Sequence, residues 1–400
     1  METVIIEWVS LAVRWIHIIT AIAWIGASFY FNWLLNHLLQ SDDPKISGQL
    51  WALHAGGFFN VEKRNIAPGK LPEPLHWFKW ESYWTWISGF MLLVVVYYFG
   101  AEAYLIDPAV AALAPWQAIL ISLAVLAGSW VVYHYGWDSG FARSNNKAAM
   151  LLTGLFIVAM AYFLTHVFSG RGAFLHVGAM IATWMTGNVF FVIMPGQRQL
   201  VKNTLAGLPQ DKRLAEDAGA RSLHNNYLTL PVLFCMISNH YPATFGSDAS
   251  WLILIGLFAV GILVRHYFNI RGKQGNLNAL WMLVLAFFLF MALALAASYP
   301  QIKLALGDAA LVSYPEHVRP VIERHCISCH AAQPTSTMFT VAPKGVLLET
   351  EAQLRQQAAR VAVQVSSKAM PLGNLTQMTD EERQRVLQWI KQLSKPLNEP

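Results

Sequence analysis

Charged residues are scarce in this 400-residue chain. Only 13% of the residues are charged, whereas 55% are hydrophobic, and this balance excludes an ordinary soluble protein. The apolar residues fall into blocks of roughly the twenty residues that cross a hydrocarbon core, which excludes one oversized soluble core. The net charge of +5 is spread over several connections without a basic stripe, and we therefore exclude nucleic acid as a partner.

The first apolar block has few features of a cleaved leader. The first block begins with Glu2 and Glu7 where a signal peptide has basic residues, and no small-residue cleavage site follows it, so we expect an uncleaved span. The apolar blocks predict about eight spans in contact with membrane lipid, near residues 4–35, 83–103, 116–137, 148–168, 174–194, 223–241, 251–268 and 279–299.

Basic residues are nearly missing from alternate connections. The connections after the second, fourth and sixth spans carry only Arg171, whereas those after the first, third, fifth and seventh carry Lys or Arg repeatedly. The positive-inside rule makes the basic connections cytoplasmic. We therefore expect a bacterial inner-membrane protein whose N-terminus and C-terminal tail are periplasmic.

Cysteine is rare, yet two of the three cysteines form the motif Cys326-Ile-Ser-Cys329-His330. This C-x-x-C-H spacing is typical of covalent haem c attachment, with the histidine as the proximal iron ligand. Met370, followed by Pro and Gly in a predicted loop, is the expected second axial ligand, with Met378 and Met338 as alternatives. A zinc site or a thioredoxin-like pair fits less well, because Cys235 lies far upstream in an apolar run.

The last hundred residues differ from the rest in being charged and free of long apolar blocks. Three amphipathic helices are predicted there, at 315–325, 349–365 and from a capping box at residues 379–382. We therefore predict an all-α fold: a polytopic helical membrane bundle at 1–300, a linker at 301–312, and a small class I-like cytochrome c domain at 313–400.

One histidine stands out within the spans. His17 lies three residues after Arg14 in the first span, so both side chains share one helix face near mid-membrane, where ionisable groups usually mark a cavity or cofactor. We expect His17 to bind a second, non-covalent haem, with His176, His134 or His266 as a partner ligand. The bland alternative is that His17 hydrogen-bonds a neighbouring helix.

Three segments, together with the haem tail, resemble the bacterial membrane-bound urate oxidases (urate hydroxylases) that carry a C-terminal cytochrome c domain. The segments begin at His54-Ala-Gly-Gly-Phe-Phe, at Leu75-His76-Trp77-Phe78-Lys79-Trp80-Glu81 and at His224-Asn225-Asn226-Tyr227. The resemblance covers the whole chain. It implies oxidation of urate to 5-hydroxyisourate, with oxygen from water and electrons leaving through haem c to a downstream cytochrome or terminal oxidase.

Urate is a planar anion, so its site needs cations, hydrogen-bonding side chains and an aromatic face. Residues predicted to lie on the cytoplasmic face supply all three, and the expected catalytic set is His54, Lys63, His76, Lys79, Glu81, His224 and Asn226. The alternative is a purely structural role, in which these groups cap helices and anchor loops.

Rival functions for the whole protein are a quinol- or oxidase-linked electron-transfer subunit, and a transporter with a redox sensor.

Overall fold

A computed structural model describes residues 2–64, 71, 73–247, 249–274, 279–306 and 312–393. The part before the tail has eleven α-helices and one hairpin: α1 Glu2–His37, β1 Ile46–His54, β2 Gly57–Arg64, α2 Trp80–Leu92, α3 Ala101–Tyr104, α4 Pro115–Asp138, α5 Gly140–Ser144, α6 Asn146–Thr165, α7 Gly170–Gly187, α8 Met194–Ala206, α9 Lys212–Ile237, α10 Ser250–Gln274 and α11 Trp281–Leu306. A π-helical turn, Leu93–Tyr98, extends α2, and another, Asn188–Ile193, joins α7 to α8.

Six stretches within the described residues are long and apolar enough to cross a membrane: Ile5–His37, Pro115–Asp138, Asn146–Thr165, Gly170–Ala206, Ser250–Arg271 and Trp281–Tyr299. They coincide with six of the eight predicted spans, which fits a membrane protein. The other two predicted spans, 83–103 and 223–241, fall on the α2 region and on α9, which are helical. Passage of these two through the bilayer stays a prediction.

Helix α7 is the centre of the bundle. Phe174, His176 and Trp184 on this helix are completely buried, because α4, α6 and α9 all pack against it. Glycines allow the close approach: a methyl group at Gly178 would overlap the Cys235 side chain, and one at Gly187 would lie 2.7 Å from the Trp130 ring. Cys235 is therefore a small packing residue, as expected where helices approach closely in a membrane.

The hairpin formed by β1 and β2 departs from the all-α prediction. The strands pair antiparallel, with His54 opposite Gly57. Ala55 and Gly56 form the turn between them with φ values of +49° and +77°, the positive values that a tight two-residue hairpin turn requires. A glycine at the second turn position, followed by the aromatic Phe58 and Phe59, was the signal for a strand pair.

The tail has its own helices: a π-helical turn Tyr314–Val318, α12 Arg319–His325, α13 Glu351–Gln356, α14 Ala358–Ser366 and α15 Asp380–Leu393. Ile322, Leu354 and Trp389 are buried together in a second hydrophobic cluster, separate from that of the bundle. The capping box is confirmed, since the Glu382 amide donates to Thr379 Oγ1 and the Thr379 amide donates to the Glu382 carboxylate. Helix α11 continues through half of the predicted linker, as far as Leu306.

Candidate functional site

The C-x-x-C-H motif lies at the end of α12. The His330 amide donates to the Cys326 carbonyl at 2.9 Å, which folds the motif into a helical turn. His330 Nδ1 is 2.9 Å from the Val346 carbonyl oxygen, so Nδ1 carries the hydrogen. Nε2 therefore keeps a lone pair with which it can bind a metal. Cys326 and Cys329 are both free thiols.

The Met370 loop is held by Arg383, a buried residue of α15. Its guanidinium donates to the carbonyl oxygens of Met370 and Val365 and to Asn374 Oδ1. The side chains of Met370, Met378 and Met338 all line the cavity that contains the motif. Met370 as the second ligand therefore stays a prediction. The described residues contain no group of three or more His, Cys, Asp and Glu side chains arranged to hold a metal ion.

A cavity of about 1870 Å³ lies between the tail and the membrane helices. The tail contributes Cys326, Cys329, His330 and Met370, while the helical bundle before it contributes the polar residues Arg14, His17, Tyr97, Glu102, Arg171, Asn239 and His240. Ordinary small-molecule sites occupy roughly 300–1000 Å³. This cavity therefore has room for more than one planar molecule.

The charge of the cavity wall is predominantly positive. Four arginine and lysine side chains, Arg14, Arg171, Lys344 and Arg360, line it, against the single carboxylate of Glu102 among the described residues. The positive charge comes from both the membrane helices and the tail. Such a wall favours an anionic occupant.

The tail closes this cavity by docking directly on the membrane helices. Gly373, at φ +58°, approaches so closely that a methyl group there would lie 2.6 Å from the Glu102 carbonyl oxygen. A methyl group at Gly246 would overlap the Ser367 backbone. Ala369 packs into the bundle's own hydrophobic core. Two glycines and one alanine thus set the distance between the C-x-x-C-H motif and the bundle.

A hydrogen-bonding pair forms the membrane-side wall close to the tail. Asn239 donates through Nδ2 to the Tyr97 hydroxyl at 2.8 Å. Its Oδ1 is buried and has no partner in the described part of the chain. Arg171 lies over the Tyr104 ring at 5.8 Å, on the same side of the bundle. An unpaired buried acceptor and a cation that line the same cavity are suited to a ligand that carries both N–H groups and negative charge.

His17 lies on the membrane wall of the same cavity. Its Nδ1 is 3.0 Å from the Thr85 carbonyl oxygen and 3.1 Å from Ser88 Oγ, both on α2. The carbonyl can only accept, so Nδ1 carries the hydrogen. Gly89 lies against the ring, and a methyl group there would lie 2.9 Å from Cε1.

The candidates from the first connection lie away from this cavity. His54 is exposed at the end of β1, and Lys63 is exposed on β2. His76 is exposed and meets the Phe78 ring edge-on at 4.6 Å. Lys79 Nζ lies 5.3 Å from the Trp80 ring centre, and Glu81 is in the first turn of α2. Their urate-binding role stays a prediction.

Helix α9 places the other two candidates in separate networks. His224 Nδ1 is 2.8 Å from the Tyr133 hydroxyl. Asn226 is fully buried; its Oδ1 accepts from Arg265 Nε at 3.3 Å and Asn269 Nδ2 at 2.7 Å, while its Nδ2 has no partner among the described residues. None of the seven candidates is among the described residues lining the large cavity.

The sequence did not indicate that Tyr97, Arg171 and Asn239 line one cavity. Arg171 carried a signal, because it was the one basic residue in connections otherwise bare of Lys and Arg. Tyr97 and Asn239 carried less, since they are 142 positions apart and meet only in the folded bundle. Their pairing could not be read from local patterns.

Comparison with known proteins gives one finding. No curated protein and no solved structure matches the chain. The family described as "Urate oxidase N-terminal" matches residues 3–298, which is well over half of the chain and includes all the membrane helices that line the cavity. The chain belongs to the Urate oxidase N-terminal family.

Proposed function

We propose that this protein is a membrane-bound urate oxidase that hydroxylates urate to 5-hydroxyisourate and passes the electrons through a covalent haem c on its tail. Family membership supports an oxidoreductase that acts on urate. The observation that carries the rest is the shared cavity: residues of the haem motif and polar residues of the membrane helices line one space.

The tail residues fit a covalent haem c. Two free thiols are available for thioether bonds, and His330 has its Nδ1 fixed by the Val346 carbonyl, which is the arrangement found in histidines that bind metals. Met370 would be the second ligand. When bound, the haem supplies a one-electron acceptor that delivers electrons to a downstream cytochrome or terminal oxidase.

Urate would bind at the polar end of the cavity. Arg171 attracts the purine anion, and Asn239 Oδ1 accepts a hydrogen bond from a purine N–H. Tyr97 fixes the Asn239 amide so that the oxygen is the atom offered to the ligand. His240 also lines the cavity, and in this proposal it takes a proton from the attacking water.

The reaction balances without molecular oxygen. Water adds to urate, and two electrons and two protons leave as 5-hydroxyisourate forms. The protons pass to the general base and then to solvent, whereas each electron is passed on singly. A site beside the haem motif needs no relay across the bilayer. The cytoplasmic set, by contrast, would lie across a hydrocarbon core of roughly 30 Å.

Anaerobic alanine replacement tests this assignment. Asn239→Ala and Arg171→Ala should keep the haem spectrum and slow urate-dependent haem reduction, while His54→Ala and His76→Ala leave both unchanged. The reverse pattern would move urate to the cytoplasmic residues. Haem reduction by quinol, with no response to urate in the wild-type protein, would favour an electron-transfer subunit.

A further inference from the structure

We propose that His17 is an axial ligand of a second, non-covalent haem held by the membrane helices in the inner part of the cavity. His17 and the C-x-x-C-H histidine have the same kind of hydrogen bond at Nδ1. His17 and His330 line the same cavity, and each has Nδ1 within 3.0 Å of a backbone carbonyl, at 3.0 Å from Thr85 and 2.9 Å from Val346. A carbonyl behind Nδ1 is the usual support of a metal-binding histidine.

The ring tautomer selects among possible occupants. Because Nδ1 donates to Thr85, Nε2 is a lone-pair acceptor, and the described residues offer it no hydrogen bond. A quinone presents carbonyl oxygens, which need a donor and would meet this acceptor unfavourably. A lipid chain has no group that would pair with Nε2. A metal ion in a planar apolar ligand matches the free nitrogen, and haem has this chemistry.

The walls around His17 suit a large flat apolar molecule. Gly89 lies against the imidazole, while the small side chains Ala21, Ala179 and Ala182 leave space beside the rings of Trp86 and Phe90. Arg14 lines the same cavity one turn before His17 on α1. Its guanidinium is placed to pair with a propionate, a bidentate contact that arginine favours.

The partner ligands suggested by the sequence need correction. His176 has both ring nitrogens engaged, with Ser122 Oγ and the Gly172 carbonyl each at 2.7 Å, and it is fully buried. His134 stacks on Trp130, and His266 pairs with the Tyr227 hydroxyl; neither is a described lining residue of the cavity. Met185 and Met236 do line it, and we assign their thioethers as candidate sixth ligands.

A second haem would serve the proposed reaction. Only this role of the haem, and not its binding site, rests on the proposed function. Urate releases two electrons, whereas one haem accepts one. Two haems in one cavity could take both electrons in a single turnover. The binding site itself is argued from His17 and its surroundings and does not depend on the substrate.

Haem counting on the purified, detergent-solubilised protein tests the proposal. Acidified acetone should extract one non-covalent haem for each covalent haem that stays with the polypeptide. His17→Ala should lose the extractable haem and keep the covalent one. His37→Ala is the matched control, since His37 lies on the same helix and its Nδ1 also meets a backbone carbonyl, that of Trp33, but it does not line the cavity.

Gly89→Val provides an independent variant. Its side chain would displace the His17 ring, so extractable haem should fall while the covalent haem stays. Covalent haem alone in the wild-type protein, or a full complement of extractable haem in His17→Ala, would overturn the proposal. The count needs no urate, so a protein that holds two haems but fails to oxidise urate would overturn only the proposed function.

Discussion

Asn239 donates to the Tyr97 hydroxyl at 2.8 Å and keeps its own buried oxygen unpaired in the described part of the chain. The two residues come from different helical segments, so the folded bundle, and not a local motif, creates this acceptor. A purine N–H would satisfy it. Tyr97 and Asn239 therefore act as one unit, in which the tyrosine orients the amide.

Asn239→Asp should weaken urate binding more than Asn239→Ala does. Alanine removes one hydrogen bond, which costs about 1–3 kcal/mol, or roughly 5- to 150-fold in kcat/KM. Aspartate adds repulsion of the urate anion. Tyr97→Phe should have a smaller effect, since it frees the amide without removing the acceptor. Steady-state urate oxidation measures all three, and equal activity of Asp and wild type would contradict the assignment.

Arg171→Gln should raise KM for urate and reduce its dependence on ionic strength, because the variant removes one cation from a wall with few carboxylates. Arg198→Gln on α8 is the control, since Arg198 is not among the described residues lining the cavity. A change of KM in both variants would assign the effect to overall charge and not to the site.

Gly373→Ala should disturb the docking of the tail. The new methyl group would lie 2.6 Å from the Glu102 carbonyl oxygen, an overlap that costs on the order of 1–3 kcal/mol. Gly345→Ala is the matched control, because its φ of +64° is similar but nothing lies within 4 Å of the added carbon. We expect only Gly373→Ala to slow haem reduction by urate while the haem content stays normal.

The Met370 loop should depend on Arg383. Arg383→Ala removes the donor shared by Met370, Val365 and Asn374, so the methionine-to-iron absorption near the red end should weaken, as it should in Met370→Ala. Arg385→Ala, two positions away at an exposed site, is the control. An unchanged band in both Arg383→Ala and Met370→Ala would transfer the ligand role to Met378 or Met338.

The tail should lose stability in acid partly through Glu382. Partial burial tends to raise the pKa of this carboxyl group, but hydrogen bonds from Thr379 and from His325 outweigh it and hold the pKa below its usual range. A depressed folded pKa gives stability that is present above the unfolded value of about 4.3 and is lost as pH falls through the folded value. Glu382→Gln should flatten this acid limb of a thermal unfolding profile, and an identical limb would contradict it.

Local patterns predicted the parts of the fold that depend on neighbours in sequence. The capping box at Thr379 and the long apolar helices were predictable because each is determined within a few turns of helix. The hairpin was missed because a helical bundle was assumed throughout. The cavity was missed because its wall joins residues as distant as Tyr97 and Asn239, and only packing around α7 brings them together.

For the histidines, too, position in the sequence was visible but contacts in the folded bundle were not. His17 was singled out because a histidine in the middle of a predicted span is visible in sequence, and its role as a haem ligand stays a prediction. Its Thr85 contact and its neighbour Gly89 were not visible. His224 and Asn226 looked alike in sequence, yet α9 directs them into different networks, one around Tyr133 and one around Arg265.

Anaerobic absorption spectra of the purified protein, taken before and after addition of urate with no other partner present, test the central claim most directly. We expect urate to reduce the covalent haem in the wild-type protein and not in Asn239→Asp, whose haem dithionite still reduces fully. An oxidised haem band that urate leaves unchanged in the wild-type protein, while quinol reduces it, would contradict the account.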